Sequence, residues 1–316
     1  MPLNTDGVLY QFAFKAMGSP CQLQCYCESS SAFEAIKKQS VAEMKRLERK
    51  YSRYLETSLV SQINRAAGTT KTFALDPETW AIFQYATAAF EQSEGLFDIT
   101  SGVFRRIWDF NKSKIPSAED RRRCLDLVGW HRVTPSQSNF RLPKPGMEID
   151  LGGIVKEYAA DALAELIKRQ GIESALVDLG GDITVVGPRP NGEPWPVGIR
   201  HPVEKENAMA TIPLSGGGLA SSGDYERFFE LDGERYSHII NPLTGWPVKG
   251  LSAVSVWAPA CVVAGSVATI AMLKPIDEGL AWLQEVGSSF VAIDQGSILR
   301  CLISKLERIS LPMKHY

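Results

Sequence analysis

Two short stretches hold residue types that acid–base chemistry or tight ligand binding would use. Ser222-Gly223-Asp224-Tyr225 offers a hydroxyl, a carboxylate and a glycine that exposes backbone. His238-Ile239-Ile240-Asn241-Pro242-Leu243-Thr244-Gly245 adds an imidazole that titrates near neutral pH and further hydroxyl and amide groups. The segment between them supplies the reason to consider them together. Residues 225–231 and 234–240 are rich in aromatic and branched side chains, and Asp232-Gly233 suits a tight type I′ turn. A hairpin of that kind returns His238 to the neighbourhood of Ser222, Gly223 and Asp224. An ordinary hairpin with a polar approach and a Pro-Gly exit carries the same letters, so the pattern alone leaves both readings open.

A second signal is a repeated tetrapeptide. Asp150-Leu151-Gly152-Gly153 closes a short strand-like run and leads into residues 154–167, whose apolar spacing and composition predict a helix. Asp178-Leu179-Gly180-Gly181 closes the apolar run Ala175-Leu176-Val177. Paired glycines let backbone approach a ligand closely, and the amides that open a helix favour an anion, so a phosphate near residues 152–156 is physically reasonable. Paired glycines also simply make tight turns.

Taken in order, these pieces resemble the ApbE flavin transferases, the FAD:protein FMN transferases. The resemblance runs through Phe14-Lys15-Ala16-Met17-Gly18-Ser19, Tyr51-Ser52-Arg53-Tyr54 and Gly95-Leu96-Phe97-Asp98-Ile99-Thr100. It continues through both Asp-Leu-Gly-Gly turns, Ser222-Gly223-Asp224-Tyr225 and the segment 238–245, and ends at Thr269. Six motifs in register cover nearly the whole chain. The resemblance implies FAD as substrate, a divalent metal (commonly magnesium) beside its pyrophosphate, and a target flavoprotein. A threonine hydroxyl of that target attacks the FMN-side phosphate and AMP departs. It further implies that Met17, Tyr54, Leu96, Phe97, Asp98, Asp150, Lys156 and Ile240 line the FAD site, with His238 as the base. Read without the resemblance, Met17, Leu96 and Phe97 are core residues, and Tyr54 and Lys156 are surface residues.

Two departures from the family pattern stand out. Lys156-Glu157-Tyr158-Ala159 has a glutamate where the family commonly has glycine, and a carboxylate there crowds or repels phosphate unless it points outward from the helix. In Ala264-Gly265-Ser266-Val267-Ala268-Thr269, the family's metal-binding aspartate is Gly265. The resemblance then leaves the Thr269 hydroxyl and the Gly153 carbonyl as metal ligands, and a weakened magnesium site is expected, because magnesium usually takes one or two carboxylates. Restoring aspartate at 265 is expected to rebuild it. Three functions follow: an active transferase, which the retained motifs favour; a flavin-binding protein that has lost transfer; and a slow FAD pyrophosphatase.

Composition bounds the rest. The chain has 316 residues and a formal charge of −2, which gives no electrostatic reason to expect nucleic acid or an anionic membrane as partner. Residues 1–10 lack a basic region followed by an apolar run, so a cytoplasmic location is expected. Cys21, Cys25 and Cys27 alternate on one strand face, an awkward geometry for disulfides, and the six cysteines include no Cys-x-x-Cys pair. Residues 250–273 carry no charge, yet Pro259 interrupts them. The alternation in 251–257 predicts a buried strand feeding a buried Ala-rich helix at 262–273, rather than a membrane span. Helices are expected over residues 32–55 and, opened by Asp76, over 77–93. Residues 105–123 read as a mobile surface excursion, and the turn at 188–192 as a hairpin joining 183–186 to 195–199. No Gly-x-Gly-x-x-Gly, Walker loop or Gly-x-Ser-x-Gly occurs. Hairpin strands with helices between blocks predict an α+β fold of mostly antiparallel sheet with packed helices, and nothing linker-like divides residues 1–316 into separate domains.

Overall fold

The computed structural model describes residues 7–200, 208–225, 227–294 and 299–302. Of the N-terminal segment read above, residues 1–6 lie outside the described residues. In chain order come β1 (Val8–Ala16), β2 (Ser19–Cys27), α1 (Ser30–Tyr51), α2 (Leu59–Arg65), α3 (Pro77–Gln92), α4 (Ala118–Leu125) and α5 (Val155–Lys168). Then follow β3 (Ala175–Leu179), β4 (Asp182–Val186), β5 (Trp195–Arg200), β6 (Ala208–Leu214), β7 (Gly217–Gly223), β8 (Phe228–Leu231) and β9 (Glu234–Ser237). The chain continues through β10 (Ala253–Ala258), α6 (Cys261–Leu273), α7 (Ile276–Val286), β11 (Ser289–Ile293) and β12 (Leu299–Leu302).

Alternation decides the main sheet. In β2, Cys21, Leu23, Cys25 and Cys27 fall on one face and are all buried, while Gln22, Gln24 and Tyr26 are half-buried. Eight strands pair antiparallel in the order β1-β2-β3-β4-β7-β10-β11-β12. One face of this sheet carries the main core, built with Phe33, Met44 and Leu47 of α1, Ile82 and Phe83 of α3, Leu163 and Ile167 of α5, and Ile270 and Met272 of α6. On the other face, Leu176, Ile183, Leu219 and Trp257 pack against Trp195, Val197, Ile212 and Leu214 of the β5–β6 ribbon. The α+β expectation holds, and the buried strand and helix expected across 250–273 are β10 and α6. Among the described residues no helix is long and apolar enough to cross a membrane. All six cysteines are free.

Three expectations need correction. Residues 183–186 and 195–199 do not pair: the free side of β4 is taken by β7, and after Gly187 (φ 60°) the chain leaves the sheet, so β5 pairs with β6 instead. The stretch 105–123 is not a loose excursion, because it enters α4. Val103, Phe104, Trp108 and Cys124 bury together with Phe229 of β8 in a third apolar cluster. The run before Asp150 forms no strand. It is held instead by the Asn64 side chain, which bonds Ile149 through both its backbone groups, and by the Asp150 N–H donating to the Ile99 carbonyl at 2.7 Å.

Candidate functional site

The hairpin that positions His238 forms as its turn residues dictate. Leu231 pairs with Glu234, and Asp232 (φ 54°) and Gly233 (φ 78°) both take the left-handed conformation a type I′ turn requires. Strand β8 begins at Phe228, later than read from sequence; Glu226 lies outside the described residues. His238 follows β9 directly. Its backbone N–H donates to the Arg227 carbonyl at 2.9 Å, its Nδ1 lies 3.3 Å from the same oxygen, and the residue is exposed. Asp224, just after β7, lies 3.7 Å from Arg235 of β9; burial raises its pKa while Arg235 opposes that shift. The turn after His238 is rigid: Asn241 Oδ1 accepts from Leu243 and Thr244, and the Gly245 N–H donates to the Asn241 carbonyl at 2.8 Å. Leu243 remains exposed and reaches back to the Gly95 turn, within 3.9 Å of where a Cβ on Gly95 would stand. Ile240 is half-buried and joins the Trp108–Phe229 cluster.

The Gly95-Leu96-Phe97-Asp98 segment is largely internal. Phe97 is buried and Leu96 half-buried. The Asp98 carboxylate is committed to its own fold, accepting from the Thr100 N–H and hydroxyl at 2.7 and 2.6 Å and from the Trp130 N–H at 3.0 Å. Both of its oxygens thus hold the Thr100–Trp130 turn, and the residue is buried. The Phe97 ring passes 3.7 Å from where a Cβ on exposed Gly153 would stand. Asp150 accepts from the Gly152 N–H at 3.0 Å and pairs with Arg53 at 2.5 Å, while Arg53 also donates to the Tyr54 hydroxyl at 3.0 Å. Tyr54 lies beyond the end of α1, which stops at Tyr51 because Ser52 turns extended, and it is 72% exposed. Met17 sits at the tip of the β1–β2 hairpin with φ 49°, an uncommon conformation for a side chain of that size, and packs against the main core. The residue two beyond it, Ser19, approaches Gly180 so closely that a Cβ there would lie 2.7 Å from the serine Cβ. The Met17 turn thus abuts the second Asp-Leu-Gly-Gly turn.

Helices α5 and α6 close the region. Lys156, in the first turn of α5, pairs with buried Asp182 at 2.6 Å; burial works against its charge, but Asp182 outweighs it and the pKa rises, so Lys156 stays protonated. Asp161, one turn after Glu157, accepts from the Cys261 and Val262 N–H groups at 2.9 and 3.0 Å, capping α6, which has no cap of its own. Glu157 does not point outward. It is buried against α6, where a Cβ on Gly265 would lie 2.7 Å from its Cγ and 2.8 Å from its Oε1. Burial, with nearby Asp182 adding to it, pushes its pKa up to about 8, and its Oε2 has no hydrogen-bond partner. Aspartate at 265 therefore does not enter an open slot, contrary to the expectation from sequence; Glu157 occupies it. One turn further along α6, half-buried Thr269 shares a hydrogen bond of 3.0 Å with Ser222 of β7.

Of the residues expected from sequence, these contacts join Tyr54 to Asp150 through Arg53, set Phe97 beside Gly153, tie Lys156 to Asp182 and bond Thr269 to Ser222, while Asp98 and Met17 turn to the interior. His238 and Ile240 stand on the hairpin and its following turn, His238 against Arg227 and Ile240 against the Trp108–Phe229 cluster. Sequence reasoning missed Arg53, although it sits between the two tyrosines of a motif it used, and Asp182, the partner of Lys156. Among the described residues no three His, Cys, Asp or Glu side chains are grouped as a metal cage. An open cleft of about 480 Å³, bordered by Arg235, Tyr236, Trp246, Lys249 and Lys274, contains none of the residues implied for FAD.

The ApbE family model matches residues 17–292, from the Met17 turn into β11. The chain belongs to the ApbE family. A FAD:protein FMN transferase of Klebsiella pneumoniae (strain 342) is 29% identical over 304 residues, which is 93% of each chain. One of Vibrio cholerae is 30% identical over 236 residues, covering 73% of this chain and 70% of the relative. The ApbE protein of Thermotoga maritima superposes with a TM-score of 0.84 at 29% identity, covering 93% of this chain and 97% of that one. The flavinyl transferase ApbE of Pseudomonas stutzeri does so with a TM-score of 0.83 at 25% identity, over 93% and 94%. The family match over residues 17–292 takes in α1 through α7 and the His238 hairpin.

Proposed function

We propose that this ApbE-family enzyme is a FAD:protein FMN transferase, moving the FMN part of FAD onto a threonine hydroxyl of a target flavoprotein. The observation that carries the reading is likeness to a relative of that name over 93% of both chains. In the proposed reaction the threonine Oγ attacks the FMN-side phosphorus. The bond from that phosphorus to the bridging oxygen breaks, AMP leaves with that oxygen, and His238 takes the hydroxyl proton. The exposure of His238 suits it to meet a protein substrate, and the rigid Asn241–Gly245 turn beside it fixes its approach. Lys156, held by Asp182 in the first turn of α5, would offer a fixed cation to the pyrophosphate, and α5 opens without a side-chain cap, leaving its N-terminal end favourable to negative charge. Arg53 holds Asp150, and through it the Gly152 turn, in place.

A bound magnesium would neutralise pyrophosphate charge and ease departure of AMP. The residues present fit a hard cation: the Thr269 hydroxyl, the Gly153 carbonyl and the unpartnered carboxylate oxygen of Glu157 are all oxygen donors. The test is incubation with FAD, magnesium and a threonine-bearing flavinylation substrate, followed by denaturing electrophoresis. Flavin fluorescence that stays with the acceptor band supports transfer, and a dark acceptor in the presence of bound FAD contradicts it. Retention of FAD without turnover would point to a flavin carrier instead.

A further inference from the structure

Glu157 and Gly265 face each other across α5 and α6, and the contact is too close to be incidental. A Cβ on Gly265 would lie 2.7 Å from Glu157 Cγ, so the glutamate lies against bare helix backbone that no other residue type would leave open. Meanwhile Asp161 binds the first amides of α6 at Cys261 and Val262. Successive turns of α5, at 157 and 161, thus meet successive turns of α6 at 265 and 261, in reverse order. One turn further along α6 stands Thr269, and Gly153 lies just before the first turn of α5. Glu157 therefore faces α6 one turn before Thr269 and follows Gly153 by four residues, and its Oε2 is buried with no partner. A buried carboxylate oxygen left unsatisfied costs free energy unless a proton or a cation compensates it.

From this geometry we infer that Glu157 is the metal-binding carboxylate of this chain, supplied from α5 across the gap at Gly265, so that a magnesium-type divalent cation is held by Glu157, Thr269 and the Gly153 carbonyl together with substrate phosphate. The inference rests on the proposed FAD chemistry for the phosphate oxygens. It makes positions 157 and 265 a coupled pair: a carboxylate is needed at one, and room for it at the other. Magnesium commonly takes only one or two protein carboxylates and fills its octahedron with phosphate and water, so a single relocated carboxylate is sufficient.

The test titrates Mn²⁺ into protein saturated with FAD and follows the free ion by electron paramagnetic resonance, alongside flavin affinity and thermal unfolding. Glu157→Gln keeps the size of the side chain and removes only its charge. It should weaken Mn²⁺ binding by about 10–100-fold, the range reached when even a supporting group of a metal site is lost, while FAD still binds. Gly265→Asp alone should not tighten Mn²⁺, because Glu157 already fills its place. The double variant Glu157→Gly with Gly265→Asp, with the carboxylate moved to the other helix, should recover affinity to within about tenfold of native. Native Mn²⁺ affinity in a folded Glu157→Gln protein that binds FAD overturns the inference. Tightening by Gly265→Asp alone does so too. Failure of the native chain to bind FAD removes the proposed function, and the inference with it. If the double variant does not fold, the Gln variant decides the matter.

Discussion

At the scale of single residues, the account turns on a base in contact with solvent and a carboxylate hidden from it. His238 is placed by backbone: its amide bonds the Arg227 carbonyl, and the turn after it is tied by Asn241. A base acts on the attacking hydroxyl rather than on bound FAD, so His238→Ala should lower the transfer rate by about 10²–10⁴-fold and leave the FAD dissociation constant nearly unchanged. Stopped-flow or steady-state transfer with a parallel fluorescence titration checks this, and an unaltered rate would remove His238 from the mechanism. The histidine was legible in the sequence because Asp232-Gly233 leaves few alternatives for the intervening turn. Glu157 was legible only as an oddity. Whether a helical side chain points outward depends on what packs beside the helix, and the partner helix lies about a hundred positions further along. Asp98 shows a related limit: motif reasoning found the residue, while its three hydrogen bonds into the Thr100–Trp130 turn belong to tertiary structure.

At the scale of elements, α3 is tied to α1 and α5 through one side chain. Glu78, in the first turn of α3, accepts from Arg46 at 2.8 and 2.6 Å, from Lys50 at 2.6 Å, from the Tyr51 hydroxyl at 3.1 Å and from the Tyr158 hydroxyl at 3.0 Å. Hydrogen bonds from Arg46, then Lys50 and Tyr158, hold its pKa down to about 2 against the opposing effect of burial. A carboxylate whose pKa is lower folded than unfolded stabilises the fold above its unfolded value of about 4.3 and loses that contribution as pH falls toward the folded value. Glu78→Gln should therefore cost about 1–3 kcal/mol near neutral pH. The gap between variant and native melting temperatures should narrow as pH is lowered from about 5 toward 2, as measured by thermal unfolding across that range. A gap that stays constant with pH would assign the role of Glu78 to packing instead. Elements with strong periodicity were legible: α3 with its Asp76 cap, the alternating β2, and β10 feeding α6. Helix α4 was not, because only Cys124 of its eight residues is buried and the rest read as charged surface. The partner of β5 was not legible either, since a Pro-Gly turn after β4 announces a reversal but not which edge is free to receive the returning strand.

At the scale of the whole molecule, the sheet brings together groups far apart in the chain: the Met17 turn, the Asp150 turn, α6 and the β8–β9 hairpin. Under the proposed function those groups would spread contacts over a long ligand rather than one ring, with its pyrophosphate facing Lys156 and the uncapped start of α5. The protein should accordingly bind FAD more tightly than FMN, and isothermal titration with each flavin tests this; FMN binding as tight as FAD would sink the idea that the adenosine half is held. The α+β architecture was legible because hairpin signals recur along the chain, and the ordering of distant strands around β7 was not, since nothing local specifies pairing of β4 with β7 or of β7 with β10. The measurement that bears most directly on the central claim is a single reaction of the purified protein with FAD, magnesium and a threonine-bearing acceptor, analysed for AMP by chromatography and for the acceptor's intact mass. The account predicts AMP and flavinylated acceptor in equal amounts, the flavin mapping to threonine. AMP accompanied by free FMN, with the acceptor mass unchanged, would contradict it and make the protein a pyrophosphatase.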